Sequence, residues 1–421
     1  MPETEPRPID LRPAEFDVPR DDPFANDRLS RRESVESLCS ILHNAERPLV
    51  VSVEGAYGTG KSSYLRMCAA YLEQLGALTV QFNAWQQGHT NRPLIDLVAA
   101  LSTQLDSRAT WDKVKSAAKQ AGWRAASILT KELIAPLDAD SPAVFQAWAD
   151  IEDAIATFKS SLHDQVRGLD RKLVIFVDEL DRCEPTYALD LLNKARHLFD
   201  VEGVAIVFGV NRSELGHAVE TQYGPGCDID GYLRRFVDLS MQLRQPTTDD
   251  WDTYIASLCD SLLDCARILG DRSNTAREML KLLADNCQGR LRDVEQIVRH
   301  ANLILPQPDY TPIWPLWVVT MLTVRYLDRG CYQRLVAGDT DSWEAMLLLR
   351  SHLIRSSTFH SMAFVDAIVL SLPGEHNIPR DESAFVARYL EACPGESEAA
   401  ASVFETRERL RQQSYISMRS L

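Results

Sequence analysis

A chain of 421 residues, 45% of them hydrophobic, can bury one large core or two to three smaller ones. Its formal net charge of -15 excludes a chain-wide affinity for nucleic acid or anionic lipid, so any such affinity must come from a local patch. Nine cysteines with no CxxC pair and no His/Cys cluster at zinc-finger spacing exclude a disulfide framework, and they read as reduced thiols in a cytosol.

In chain order, residues 1–28 are rich in proline and charge and are expected to form a flexible leader; the opening MPETEPRPID lacks the basic-then-apolar pattern of a signal peptide. Ser34–Leu42 reads as a helix with Val35, Leu38, Ile41 and Leu42 on one side, stopped by Pro48. Leu49–Val53 is a short β-branched run, followed by the glycine loop EGAYGTGKSS, a helix from Ser62 to Leu75, and a strand at Leu78–Phe82. From about Pro93 to Asp170 the pattern is helical, an insertion before the next apolar run, Leu173–Val177. Tyr187–Phe199 reads as a helix, Val204–Val210 as a buried strand and Val237–Leu243 as a last strand. Strands apolar on both faces and alternating with helices predict a parallel sheet covered on both sides. After Pro246 everything reads as helix and turn, with residues 247–305 as a small lid and 306–421 as a helical C-terminal domain. Ile313–Val324 is the most membrane-like run, yet it is interrupted by Pro315 and falls short of the ~20 apolar residues a span needs. The expectation is a cytoplasmic protein without a transmembrane segment.

Gly55-Ala56-Tyr57-Gly58-Thr59-Gly60-Lys61-Ser62 fits G-x-x-x-x-G-K-[ST] at every fixed position, in the strand–loop–helix context its mechanism requires. Glycines let backbone N–H groups turn inward around a phosphate. Lys61 then reaches the outer phosphates, the Ser62 hydroxyl ligates Mg²⁺, and Ser63 continues the helix start. The run Leu173–Val177 delivers Asp178 and Glu179 at the carboxyl edge of its strand, where ligands of parallel sheets bind. Asp178 is expected to hold the metal and Glu179 to act on the attacking water, with side chains on opposite sides if the strand continues. A solvated acidic turn is the competing reading of that pair. Asn211, ending the Val204–Val210 strand, is either a polar sensor of the γ-phosphate or a helix cap. Asn211-Arg212-Ser213-Glu214 departs from the [NT]-K-x-D pattern that reads guanine, and a kinase would require a hydroxyl acceptor.

These residues resemble the KAP P-loop NTPases. The resemblance rests on the GAYGTGKS loop, the FNAW box at 82–85, VDELDRCEP at 177–185 and GYLRRF at 231–236, and it extends from about residue 24 to 305. It implies an α/β, three-layer P-loop NTPase domain at residues 29–246, of the additional-strand, catalytic-Glu class related to AAA+ and STAND proteins. It further implies ATP and Mg²⁺ as ligands, and a homo-oligomer or multi-protein complex, with bacterial phage exclusion among the family's roles. An arginine at the place of Arg234 and Arg235 enters a neighbouring subunit's site in AAA+-like proteins. Arg290 or Arg292 resembles a lid arginine that contacts the γ-phosphate, and Leu29, Ser30 and Arg31 lie where related proteins close over the base. Arg182 is read as structural, pairing with Asp181 or a nearby acid. The rival class is a non-hydrolysing scaffold that keeps ATP as a structural ligand.

One stretch reverses the overall charge. Arg108–Lys131 carries Arg108, Lys113, Lys115, Lys119, Arg124 and Lys131 against the single acid Asp112, with Trp111 and Trp123. It reads as a solvated helix face, with docking to nucleic acid or an anionic membrane surface as the sharper alternative.

Overall fold

The structure, a computed structural model, describes residues 16–88, 92–104, 142–169, 171–262, 291–304 and parts of 321–407. The basic stretch 108–131, Arg290 and most of the apolar run 313–324 lie outside the described residues. The chain divides into two units, Phe16–Arg244 and one that includes Gln245–Leu421.

Five strands of the first unit, β1 (Leu49–Glu54), β2 (Leu78–Asn83), β3 (Leu173–Asp178), β4 (Val204–Val210) and β5 (Leu239–Gln242), form one sheet in the order β2-β3-β4-β1-β5. Every pairing is parallel. The order follows from the side chains. β3 and β4 are apolar at successive positions and buried almost throughout, so they must lie centrally with both faces covered. β2 alternates buried with half-buried or exposed positions, β5 half-buried with exposed ones, and the two form the edges.

Alternation divides the core into two layers. Val51, Val53, Val174, Phe176, Ala205 and Val207 face α1 (Arg32–Asn44) and α2 (Lys61–Gln74). Val50, Ile175, Val177, Ile206, Phe208 and Val210 face the other way. They pack with residues of α4 (Pro93–Gln104), α5 (Pro142–Leu169) and α6 (Pro185–Leu198), while α3 (Ala84–Gln87) is a single turn after β2. Two shorter helices complete the unit, α7 (Arg212–Tyr223) and α8 (Ile229–Leu233).

The described part of the leader departs from expectation. From Phe16 onward it is docked: Phe16, Val18 and Phe24 pack against the α1–α2 layer, and Phe24 lies 5.6 Å from the Tyr71 ring. Arg66 donates to the Phe16 carbonyl at 3.2 Å, and Gln74 to those of Arg20 and Asp21 at 2.8 and 3.0 Å. Three apolar side chains with helix surface to cover outweigh the local bias of proline and charge.

In the second unit, described helices include Thr248–Leu262, Leu291–Ile304, Arg329–Ala337, Ser342–His352 and Glu382–Ala392. Trp343, Phe385, Tyr389 and Val403 are buried there. No described helix is long and apolar enough to cross a membrane.

Candidate functional site

The strand register sets up the site. Asn83, Asp178 and Gly209 stand side by side on β2, β3 and β4, and Gly55 continues β1 with its N–H on the Val210 carbonyl at 3.1 Å. All four therefore sit at the carboxyl edge of the sheet, the edge that binds ligands in this architecture.

Residues 55–60 turn there into α2. Gly58 and Gly60 have φ of 79° and 88°, a left-handed conformation that side chains resist. α2 opens with no side-chain cap and no acidic residue in its first turn, which leaves its positive end and free N–H groups for an anion. Lys61 is buried and folded back, its Nζ donating to the carbonyls of Gly55 at 2.7 Å and Ala56 at 3.1 Å. Burial pushes its ammonium below the ordinary lysine value, while the charges of Asp181 and Asp178 pull the other way. Tyr57 closes the side of the loop: its ring lies 5.5 Å from the Lys61 Nζ and its hydroxyl donates to the Asp181 carbonyl at 3.2 Å.

Asp178 ends β3 beside this loop. Burial raises its carboxyl pKa, opposed by the Ser62 hydroxyl and by the Glu179 N–H, which donates at 2.8 Å. Ser62 and Asp178 thus come together from separate elements. At Glu179 the strand has already ended and φ is 57°, so the opposite-sides expectation drawn from a continuing strand does not hold. Its carboxylate is clamped instead. Asn83 Nδ2 donates to Oε2 at 3.1 Å and Arg182 Nη2 pairs with Oε1 at 3.1 Å. Arg182 therefore serves Glu179 rather than Asp181, and it also lies over the Tyr57 ring at 5.6 Å.

Asp181, expected only as a partner of Arg182, faces the site instead. Its Oδ2 is buried with no hydrogen-bond partner among the described residues, and burial raises its carboxyl pKa against the pull of Lys61. The Asn211 N–H, at the end of β4, also opposes that rise. The Asn211 side chain caps nothing, and its Oδ1 accepts from Ser213 at 2.8 Å. An orphaned buried oxygen beside a lysine, with a hydroxyl and a second buried carboxylate nearby, is the hard-oxygen chemistry that suits a divalent cation and its phosphates. The residues fit that group.

Other expected residues stand apart. Arg234 and Arg235 are exposed after α8, and the hydrogen bonds and ion pairs of Lys61, Asp178 and Glu179 among the described residues involve neither. Arg292 is exposed in its own unit. Ahead of α1, Asp27 accepts from the N–H groups of Leu29, Arg31 and Arg32 at 3.1, 2.6 and 3.0 Å, which holds Ser30 at φ 51°. Sequence reasoning also missed the grip of Asn83 on Glu179. Its signal was present in the FNAW box, but only the sheet order shows that β2 and β3 are neighbours.

Among solved structures the chain is similar to Cdc6p of Pyrobaculum aerophilum, at 15% identity and a TM-score of 0.43 over 96% of this chain and 97% of that one. The Aeropyrum pernix ORC2 protein gives 10% identity and a TM-score of 0.41, over 90% and 95% of the two chains. The Walker-type ATPase paby2304 of Pyrococcus abyssi gives 13% and 0.40, over 94% and 99%. No curated protein matches. The profile of the KAP family P-loop domain matches residues 31–306, well over half of the chain. With the phosphate loop, the acidic strand end and the sheet that joins them, the chain belongs to the KAP family of P-loop NTPases.

Proposed function

We propose that the chain hydrolyses ATP in the presence of Mg²⁺ and that turnover drives a conformational or assembly switch. The observation that supports this best is the strand register that ends β3 at Asp178 on the carboxyl edge of the sheet, the edge from which the Gly55–Ser62 loop turns with its left-handed Gly58 and Gly60 and its folded-back Lys61. Gly55–Ser63 hold the phosphate chain, with Lys61 released from its own loop carbonyls to neutralise the outer phosphates. Ser62 and Asp178 hold the cation, which supplies charge neutralisation along the phosphates. Glu179 orients or deprotonates the attacking water once it leaves Asn83 and Arg182, and Asn211 reads the γ-phosphate side of the site. Arg234 or Arg235 completes the site of a second copy, so the working form is a homo-oligomer or a larger complex. The family resemblance suggests a bacterial defence or regulatory setting.

The test is release of inorganic phosphate from ATP with and without Mg²⁺. Turnover is expected to vanish in Glu179→Gln while a non-hydrolysable analogue still binds, and Lys61→Ala is expected to lose both. Unchanged turnover in Glu179→Gln overturns the reading. Phosphate transferred to an acceptor would replace hydrolysis by kinase chemistry, and binding without turnover would favour the scaffold. Mass measured with and without the analogue tests the assembly switch.

A further inference from the structure

Arg212 opens α7 immediately after Asn211, and its guanidinium forks between two carboxylates that the proposed chemistry does not use. Nη1 donates to Glu54 Oε1 at 2.8 Å and Nη2 to Asp230 Oδ1 at 2.6 Å. The two acids differ in kind. Glu54 is the last residue of β1, directly before Gly55, and its side chain is 5% exposed. It also accepts from Ser52 Oγ at 3.0 Å, and its main-chain carbonyl accepts from the Leu243 N–H at 2.8 Å. Asp230 lies in α8 with its side chain 62% exposed, and its main-chain carbonyl accepts from the N–H of Arg234 at 3.0 Å. One planar fork thus spans from the residue beneath the phosphate loop to the turn that carries Arg234 and Arg235. A cavity of about 380 Å³ beside it has an apolar side and a polar side, the latter formed by Ser52, Glu54, Arg212, Arg234, Ser240 and Gln242, which leaves the guanidinium groups room to rearrange.

Stability alone does not account for this arrangement. The exposed half of the fork contributes little to folding, and a buried ion pair is often no better than apolar packing. What a two-ended guanidinium supplies is a fixed distance between two elements, which a lysine cannot reproduce. We infer that Arg212 is a positioning residue that couples the phosphate loop, through Glu54 and Asp230, to the arginine-bearing turn at 234–236. This inference rests on the proposed ATP hydrolysis and names a regulator of that site.

Asp230→Asn tests it without disturbing the buried pair. Its melting temperature is expected to stay at the wild-type value while kcat falls about tenfold or more and KM stays within about threefold. Arg212→Lys is expected to behave in the same way. With Arg234 and Arg235 both replaced by Ala, Asp230→Asn is expected to cost nothing further, because the relay then has no end to act on. An unchanged kcat in Asp230→Asn, or a full additive loss in that background, overturns the relay. Hydrogen exchange gives a readout independent of turnover. In wild type, a non-hydrolysable ATP analogue with Mg²⁺ should slow exchange at 55–63 and alter it at 229–236; in Asp230→Asn only the first change should remain. Wild-type protein that shows both exchange changes but no turnover sinks the hydrolysis reading and leaves the relay standing. A 229–236 segment indifferent to the analogue, or one that responds equally in Asp230→Asn, sinks the relay.

Discussion

Glu179 adopts a left-handed backbone that a glutamate tolerates only under constraint, with φ at 57°. Such a conformation costs a non-glycine residue about 1–3 kcal/mol and persists where the surroundings enforce it. Here the enforcing groups are Asp178, which accepts the Glu179 N–H, and Asn83 with Arg182, which hold its carboxylate. Glu179→Gly should therefore be more stable than Glu179→Ala by about 1 kcal/mol, although both lose the carboxylate. Urea unfolding of the two variants measures the gap, and equal midpoints would refute the strain. Asp178 carries a second cost. Burial raises its carboxyl pKa, so the folded state favours the protonated acid, and the stability this gives is complete below the unfolded value and lost as pH rises through the folded one. Asp178→Asn should then melt higher than wild type near about pH 8 without metal, with the difference closing toward about pH 4. A thermal-shift series across that range checks it, and a constant offset would show that the carboxylate is not strained by burial.

At the scale of elements, β4 leaves no room for a side chain beside the acidic strand end. Gly209 is the register partner of Asp178, and a methyl group there would stand 2.6 Å from Leu65 Cδ1 and 3.1 Å from Asp178 Oδ1. Gly209→Ala should cost about 1–2 kcal/mol through overpacking of α2 against β4, and it should weaken the Mg²⁺ dependence of nucleotide binding by displacing the carboxylate. Urea midpoints and a Mg²⁺ titration read the two effects separately. This constraint was not legible in the sequence, because it exists only across strands. What was legible came from local pattern. The β-branched runs at 49–53, 173–177 and 204–210 announce buried parallel strands, and each is a strand with its end within one residue of that reading. The phosphate loop and the Asp178–Glu179 pair were legible for the same reason, being contiguous motifs. The docking of residues 16–28 was not legible because Phe16, Val18 and Phe24 follow neither a helix nor a strand period, and Tyr71, against which Phe24 packs, is remote in sequence. The Arg212 fork and the Asn83 clamp were illegible because each joins elements whose adjacency only the sheet order supplies.

For the whole molecule, every described residue assigned here to phosphate, cation or water lies within Phe16–Arg244. The second unit, where residues 306–421 offered no chemistry in the sequence, has its own polar core. Arg350 Nε donates to Asp366 Oδ1 at 3.0 Å and Oδ2 at 2.9 Å, and the Tyr389 hydroxyl donates to Asp366 Oδ2 at 2.7 Å. The carboxylate is 1% exposed and the arginine side chain 13%. Removing one member of a buried pair strands the other charge, which costs about 3–5 kcal/mol even where the intact pair adds little. Arg350→Met should therefore lower the stability of this unit by that amount. Affinity for a fluorescent ATP analogue, measured below the variant's melting range, should stay within about twofold of wild type. Arg350→Met and Asp366→Asn together should recover part of the loss, since the orphaned carboxylate is then gone. If Arg350→Met instead abolishes nucleotide binding while circular dichroism shows the protein still folded, the second unit is part of the site, and assigning nucleotide binding to residues 16–244 alone fails.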